Sequence, residues 1–165
     1  AVPATGADDA RAGAILEGFR RHYSRGWAAK TRAYEGIPEL LDALVARGYQ
    51  LAVLSNKLEE FTAQMVAHLF GRWRFARVRG ARPGVPRKPD PAGALAIATE
   101  LGTRPDACVY LGDTSTDMKT AVAAGMLPVG VLWGFRDAAE LAQSGARHLL
   151  AHPLALIPIL EAASR

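Results

Sequence analysis

The stretch GDTSTD at residues 112–117 directly follows the apolar run ACVYL at residues 107–111. The apolar run predicts a buried strand, and the residues after it predict a short helix over Ser115–Ala124. Asp113 and Asp117 therefore stand where a strand passes into a helix, with hydroxyl groups between them. Carboxylate oxygens in this arrangement suit Mg²⁺, which keeps several of its waters. The alternative is that the first aspartate or the threonine after it caps the helix, while the second interacts favourably with the helix dipole.

The rest of the chain alternates between short apolar runs and amphipathic segments. The predicted strands are Tyr49–Leu54, Phe75–Val78, Ala107–Leu111, Pro128–Trp133 and His148–Ala151. The predicted helices are Asp8–Arg25, one from Pro38 that ends before Gly48, Leu58–Phe70, one from Pro91 to Gly102, Ser115–Ala124, Asp137–Gln143 and Pro153–Ala163. Strands that are separated by helices imply an α/β fold whose parallel sheet is covered on both faces.

Two further polar clusters follow or precede predicted elements at positions where such sheets bind ligands. Ser55-Asn56-Lys57 comes directly after YQLAVL, so the Ser55 hydroxyl and the next amides face the crevice, where they can donate to phosphoryl oxygens. Lys88 stands in Arg87-Lys88-Pro89-Asp90-Pro91, where prolines stiffen the loop that carries its charge. The alternatives are that Ser55 and Asn56 form a turn or cap and that Lys88 is a surface lysine.

Composition limits the classes of protein that this chain can belong to. It has 165 residues, of which 50% are hydrophobic and 22% charged, with a formal net charge of +4. These values predict a globular chain with one main core. The single cysteine excludes an internal disulfide, which favours a reducing compartment and a cytoplasmic location. No apolar run is long enough to cross a bilayer, so we expect no membrane partner.

Much of the positive charge lies between Arg72 and Lys88, where seven cations occur without a carboxylate and alternate with Trp73 and Phe75. Three interpretations are open: a nucleic-acid surface, a solvated face beside a strand edge, or a field that attracts phosphate groups to a nearby site. The solvated face is favoured over nucleic acid.

The order of the clusters resembles the haloacid dehalogenase-like (HAD) superfamily of phosphohydrolases, and most closely its phosphoglycolate phosphatase branch. The resembling segments are Tyr34-Glu35-Gly36, Val53-Leu54-Ser55-Asn56-Lys57, Arg87-Lys88-Pro89-Asp90-Pro91, LGDTSTDM at 111–118, Ala123-Ala124-Gly125-Met126 and GVLWGF at 130–135. The resemblance implies a HAD-like Rossmannoid three-layer sandwich with a parallel sheet over residues 34–165. It also implies that residues 1–33 are the remnant of a helical cap.

The same resemblance implies a role for each matching residue. Ser55 and Asn56 bind the phosphoryl group, Lys88 neutralises charge on the nucleophile and the transferred group, and Asp113 and Asp117 hold or support Mg²⁺. The implied activity is Mg²⁺-dependent hydrolysis of a small phosphomonoester such as 2-phosphoglycolate through an aspartyl-phosphate. Mutase and dehalogenase relatives share these motifs, so the reaction type stays open, as does a homodimeric state.

One element of the family pattern does not occur in these 165 residues. The family's nucleophile is the first aspartate of an Asp-x-Asp-x-Thr motif after a central strand, which the resemblance places between Tyr49–Leu54 and Ala107–Leu111. Without that strand, two rows of buried amides and carbonyls lack hydrogen-bond partners. Each such group costs roughly 1 to 3 kcal/mol. We therefore expect the molecule to contain or pair with this strand, and the 165 residues alone to be inactive. The alternative is a non-catalytic module that binds phosphate-bearing ligands or nucleic acid.

Overall fold

The computed structural model describes residues 31–163, and the chain divides into two units between Arg32 and Ala33. The predicted helix Asp8–Arg25 and the predicted cap remnant over residues 1–33 lie outside the described residues, apart from the last few positions. The α-helices are α1 Ile37–Ala46, α2 Glu59–Phe70, α3 Ala92–Glu100, α4 Ser115–Ala123, α5 Ala138–Gln143 and α6 Leu156–Ala163. The strands are β1 Leu51–Leu58, β2 Phe75–Ala81, β3 Val109–Gly112, β4 Leu127–Val131 and β5 His148–Leu150.

The strands form two parallel sheets. β1 pairs with β2, with Val53 opposite Val78, and β4 lies between β3 and β5 in the second sheet. The predicted α/β fold with parallel strands is therefore confirmed. β1 and β3 are not hydrogen-bonded to each other, so each has one edge that no strand of the described residues covers.

Both sheets pack between the same two layers of helices. On one face, Leu51 of β1 and Leu111 of β3 pack with leucines of α1 and α6. On the other face, Leu54 of β1 and Tyr110 of β3 pack with alanines of α3 and α4. Because side chains of a strand alternate between faces, this shared alternation places β1 and β3 in one layer. The fold is a three-layer sandwich whose middle layer is interrupted between β1 and β3.

The element boundaries differ from the predicted ones at the ends of strands. β1 continues through Ser55-Asn56-Lys57 to Leu58, but its register against β2 shifts between Leu54 and Leu58. The three polar residues thus form an irregular part of the strand, where side chains are redirected, rather than a loop after it. Near β3, Pro105–Ala107 forms a 3₁₀ turn, so Cys108 precedes the strand.

The C-terminal helix also begins later than predicted. Pro153–Ala155 is a separate 3₁₀ turn, and α6 follows from Leu156. The His152 ring nitrogen Nδ1 accepts a hydrogen bond from the Leu154 amide and so caps this turn. None of the helices within residues 31–163 is long and apolar enough to cross a membrane.

Candidate active site

Lys88 lies in the loop between β2 and α3, and its side chain reaches the interrupted layer. Its Nζ donates to the Leu54 carbonyl at 3.1 Å and forms an ion pair with Asp117 Oδ1 at 2.6 Å. Only 13% of the Lys88 side chain and 9% of the Asp117 side chain are exposed. A surface lysine would not be placed in this way, because removing an ammonium group from water requires a compensating charge. Lys88 is therefore held as a fixed positive charge.

Asp117 lies in the first turn of α4 and has partners on both carboxylate oxygens. Oδ1 binds Lys88, and Oδ2 accepts a hydrogen bond from Thr114 Oγ1 at 2.7 Å. Thr114 also caps the helix, since its Oγ1 accepts from the Asp117 amide at 3.3 Å. The two interpretations of this segment are therefore compatible, because Thr114 caps the helix while Asp117 contacts Lys88. A Cβ at Gly112 would lie 2.1 Å from Asp117 Cβ, so the glycine is required for this carboxylate to sit against β3.

Asp113 projects from the end of β3 on the other side of the site. Its Oδ2 accepts a hydrogen bond from the Phe135 amide at 3.0 Å, while among residues 31–163 no partner is recorded for Oδ1. A Cβ at Gly134 would lie 2.2 Å from Asp113 Cβ, so the loop after β4 can approach only because that residue is glycine. Asp113 is thus oriented by backbone while one of its oxygens stays available.

Ser55 and Asn56 lie in the irregular part of β1 and make different contacts. Ser55 Oγ accepts a hydrogen bond from the Lys57 amide at 3.1 Å, which leaves its own hydrogen free to donate. Asn56 Nδ2 donates to the Lys88 carbonyl at 3.0 Å, and Asn56 Oδ1 accepts from the Lys88 amide at 2.9 Å. The Asn56 side chain is therefore used to hold the Lys88 loop.

The predicted site residues line two different cavities. Ser55, Asn56 and Lys88 share a cavity of about 290 Å³ that the loop after β2 and α3 enclose. Asp113 lines a more open cavity of about 350 Å³ with Tyr34, Trp133 and Phe135 among the other lining residues. Lys88 contacts Asn56 through its backbone and Asp117 through its ammonium group, whereas Ser55 and Asp113 line different cavities. The interruption between β1 and β3 separates the two halves of the site.

The donor set fits a partial site for Mg²⁺. The described residues hold no group of three or more histidine, cysteine, aspartate or glutamate side chains that could bind a metal together. Mg²⁺ is commonly bound by one or two carboxylates together with waters and substrate phosphate, so the available Asp113 oxygen suits it. Asp117, with both oxygens in use, is better placed to orient Lys88 than to bind the ion directly.

Four arginines of the Arg72–Lys88 segment form ion pairs with three carboxylates. Arg72 pairs with Asp42, Arg77 and Arg79 pair with Glu100, and Arg82 pairs with Glu59. Trp73 donates its indole N–H to Asp42 at 2.8 Å, and the Arg72 guanidinium lies over the Trp73 ring. The carboxylates come from α1, α2 and α3, which sequence order alone does not reveal. This pairing favours the solvated face over a nucleic-acid surface.

Three contributors to the site carried little or no sequence signal. The Leu54 carbonyl and the Phe135 amide are backbone groups, and any residue in those positions supplies them. The hydroxyl of Tyr110 is buried and has no hydrogen-bond partner among residues 31–163. Burial, together with the nearby Asp117 carboxylate, raises the pKa of Tyr110.

The described residues combine a parallel three-layer α/β fold with a nearly buried lysine, a strand-end hydroxyl and an available carboxylate, an arrangement typical of enzymes that act on phosphate esters. Comparison with known proteins narrows this class. A model of the haloacid dehalogenase-like hydrolase family matches residues 6–131, and the chain belongs to this family.

The curated relatives point to the phosphoglycolate phosphatase branch. Phosphoglycolate phosphatase of Aquifex aeolicus is 34% identical over 120 residues, which are 73% of this chain and 56% of the relative. That of Rhodospirillum rubrum is 36% identical over 129 residues, 78% of this chain and 54% of the relative. A crystal structure from Lactobacillus delbrueckii subsp. bulgaricus, assigned as a candidate phosphoglycolate phosphatase, superposes with a TM-score of 0.80 at 34% identity. It covers 88% of this chain and 61% of that one. The chain therefore spans about half the length of its curated relatives.

Proposed function

We propose that the whole protein is a Mg²⁺-dependent phosphatase that hydrolyses a small phosphomonoester such as 2-phosphoglycolate. The observation that supports this most strongly is Lys88, a nearly buried ammonium group held between the Leu54 carbonyl and Asp117 at the end of a parallel sheet. Phosphoryl transfer depends mainly on positioning and on charge stabilisation, and a fixed cation provides both. The names of the relatives supply the substrate class.

The residues of this chain have distinct tasks in the proposed reaction. Ser55 donates its hydroxyl hydrogen to a phosphoryl oxygen, and the Asn56 backbone amide donates to another. Lys88 offsets the negative charge that spreads over the phosphoryl oxygens in the transition state. Asp113 would hold Mg²⁺, which when bound adds positive charge at the phosphoryl group.

The proposed nucleophile is an aspartate outside these 165 residues. Its carboxylate oxygen attacks phosphorus and the ester P–O bond breaks, while the second aspartate of the Asp-x-Asp-x-Thr motif gives its proton to the leaving oxygen so that an alcohol departs. Water then hydrolyses the aspartyl-phosphate and releases inorganic phosphate. Without that aspartate, we expect the 165-residue chain alone to be inactive.

The strand that carries this aspartate is proposed to fill the gap between β1 and β3. Three observations support it: each strand has an uncovered edge, both strands share the same two faces, and the Tyr110 hydroxyl beside them has no partner among the described residues. An added parallel strand would satisfy the edge amides and carbonyls, and would bring an aspartate at its carboxyl end between Lys88 and Asp113.

The experiment that tests the activity is phosphate release by the whole protein from 2-phosphoglycolate and a panel of small phosphomonoesters. We expect release that requires Mg²⁺ and falls by about 100-fold or more in Lys88→Ala and in Asp113→Asn. Release without Mg²⁺, or full activity of both variants, would refute the proposed roles. Salt-sensitive binding to nucleic acid with no phosphatase activity would favour the non-catalytic alternative.

A further inference from the structure

One side-chain amide makes both of its hydrogen bonds to the backbone of a single distant residue. Asn56 Nδ2 donates to the Lys88 carbonyl at 3.0 Å, and Asn56 Oδ1 accepts from the Lys88 amide at 2.9 Å. We propose that Asn56 is a positioning residue, which fixes the backbone from which the Lys88 ammonium group reaches the phosphoryl site. This inference rests on the proposed function for its catalytic consequence.

The chemistry of the contact explains why an asparagine is suited to it. A backbone that must be held at both its N–H and its C=O requires a side chain with an acceptor and a donor on one short planar group. A serine could reach only one of the two groups at a time. An aspartate would place a carboxylate oxygen against the Lys88 carbonyl, and these two acceptors would repel each other.

The ammonium group of Lys88 has its own partners, and Asn56 holds the backbone at the other end of the side chain. Nζ is held by the Leu54 carbonyl and Asp117 Oδ1. The backbone of Lys88, however, belongs to a loop whose residues 82–87 are all exposed. Leu54 and Asn56 both belong to β1, so one strand holds the two ends of the lysine. The position of the Lys88 ammonium group is therefore fixed relative to β1, the strand that also carries Ser55.

The consequence for the reaction follows from the sensitivity of charge stabilisation to distance. A lysine has four rotatable side-chain bonds between Cα and the ammonium group. If the loop moves the Lys88 Cα, the ammonium group therefore moves or becomes disordered. A displacement of about 1 Å in a catalytic group can slow a reaction by about 100-fold. The Asn56 side chain is exposed to solvent, where water competes for its hydrogen bonds, so their loss costs little global stability.

The first test is a double-mutant cycle in the whole protein, measured as kcat/KM for phosphate release. Asn56→Ala is expected to lower kcat/KM by about 10- to 100-fold, mainly through kcat. In a Lys88→Ala background the same change is expected to alter kcat/KM by less than about twofold, because the effect acts through the lysine. Asn56→Asp, which keeps an acceptor for the Lys88 amide but repels the Lys88 carbonyl, serves as a second variant and is expected to lose at least as much kcat/KM as Asn56→Ala.

Gln50→Ala is the matched control. Gln50 is also an amide side chain that donates to a distant backbone carbonyl, that of Leu101, but it lies away from the site. We expect wild-type kcat/KM from it. A loss in Asn56→Ala that persists fully in the Lys88→Ala background, or a kcat/KM within twofold of wild type, would overturn the proposal.

A second readout separates this inference from the proposed function. Nuclear magnetic resonance of the whole protein can follow the backbone amide and the Nζ ammonium of Lys88. We expect Asn56→Ala to speed exchange of the Lys88 amide and to weaken the slowly exchanging Nζ signal that Asp117 protects. If wild type shows no phosphatase activity, the proposed function fails, and an unchanged Nζ signal in Asn56→Ala then overturns the positioning role as well.

Discussion

At the scale of single residues, the site depends on a charge that is both buried and fully compensated. Lys88 has one anionic partner, Asp117, and one carbonyl partner, Leu54. Asp117 in turn has no oxygen without a partner, since Thr114 occupies the second. Such a network resists the reorientation that would otherwise accompany charge development in a reaction.

Asp117→Asn should therefore destabilise the protein markedly. The amide keeps the size of the carboxylate but leaves the Lys88 ammonium group without a counter-charge, at a cost of about 3 kcal/mol in the free energy of unfolding. Urea denaturation measures this cost. Asp106→Asn is the control, since its ion pair with Arg104 lies in solvent, and it should change the midpoint much less. Equal effects of the two substitutions would contradict a buried, compensated lysine.

Gly112→Ala should disturb the same network through sterics alone. The new methyl group would lie 2.1 Å from Asp117 Cβ, so β3 and α4 must separate locally. We expect a loss of about 1 to 3 kcal/mol in the free energy of unfolding and a weaker Lys88–Asp117 contact. Thermal unfolding together with the Lys88 Nζ resonance would report both effects. An unchanged melting temperature in Gly112→Ala would show that the close approach of Asp117 to Gly112 is not required.

Sequence patterns indicated the candidate site residues at this scale but not the contacts between them. The order of Lys88 and the Gly-Asp-x-x-x-Asp segment along the chain carried the family resemblance, whereas each cluster alone left a surface lysine or a helix cap open. The partner of Asn56 was not predictable, since it lies 32 positions away and the contact is to backbone. The Leu54 carbonyl carried no signal for the same reason.

At the scale of elements, the main feature is the interruption between β1 and β3. Alternating residues of these strands face the same two helical layers, so the strands occupy one plane without being paired. The α/β alternation was predictable from apolar periodicity. The irregular extension of β1 through Ser55-Asn56-Lys57 was not, because polar residues at a strand end are equally typical of a loop.

Hydrogen exchange on the whole protein should reveal the covering strand. We expect the backbone amides of β1 and of β3 that point into the gap to exchange slowly in the whole protein, because a neighbouring strand binds them. In the 165-residue chain the same amides should exchange quickly, while those of β4, paired on both sides, stay protected in both proteins. Fast exchange at the β1 and β3 edges of the whole protein would contradict a strand in the gap.

Glu100 joins β2 to α3 and should give the protein an acid-sensitive link. Hydrogen bonds from Arg79 and Arg77 hold the pKa of Glu100 below its ordinary value of 4.5. A lowered pKa means that this stabilisation is complete above the ordinary pKa and is lost as the pH falls through the lowered one. Glu100→Gln should therefore show a smaller loss of melting temperature on acidification below pH 4.5 than wild type. Parallel pH profiles of the two proteins would contradict this.

At the scale of the whole molecule, the described unit carries a nearly buried lysine, Lys88, and a carboxylate with one available oxygen, Asp113, on opposite sides of a gap. The chain belongs to the haloacid dehalogenase-like hydrolases and spans about half the length of its curated relatives. The positive charge that suggested nucleic acid in the sequence is largely paired by carboxylates from α1, α2 and α3.

The central claim is that this unit positions the phosphoryl group while the nucleophile comes from a strand in the gap. Acid quenching of the whole protein during turnover of a phosphomonoester, followed by peptide mapping for the bound phosphoryl group, tests it most directly. We expect a phosphoryl group on an aspartate outside these 165 residues, with that peptide unlabelled in Lys88→Ala. A phosphoryl group on Asp113, Asp117 or any other residue of this chain, or turnover by the 165-residue chain alone, would contradict it.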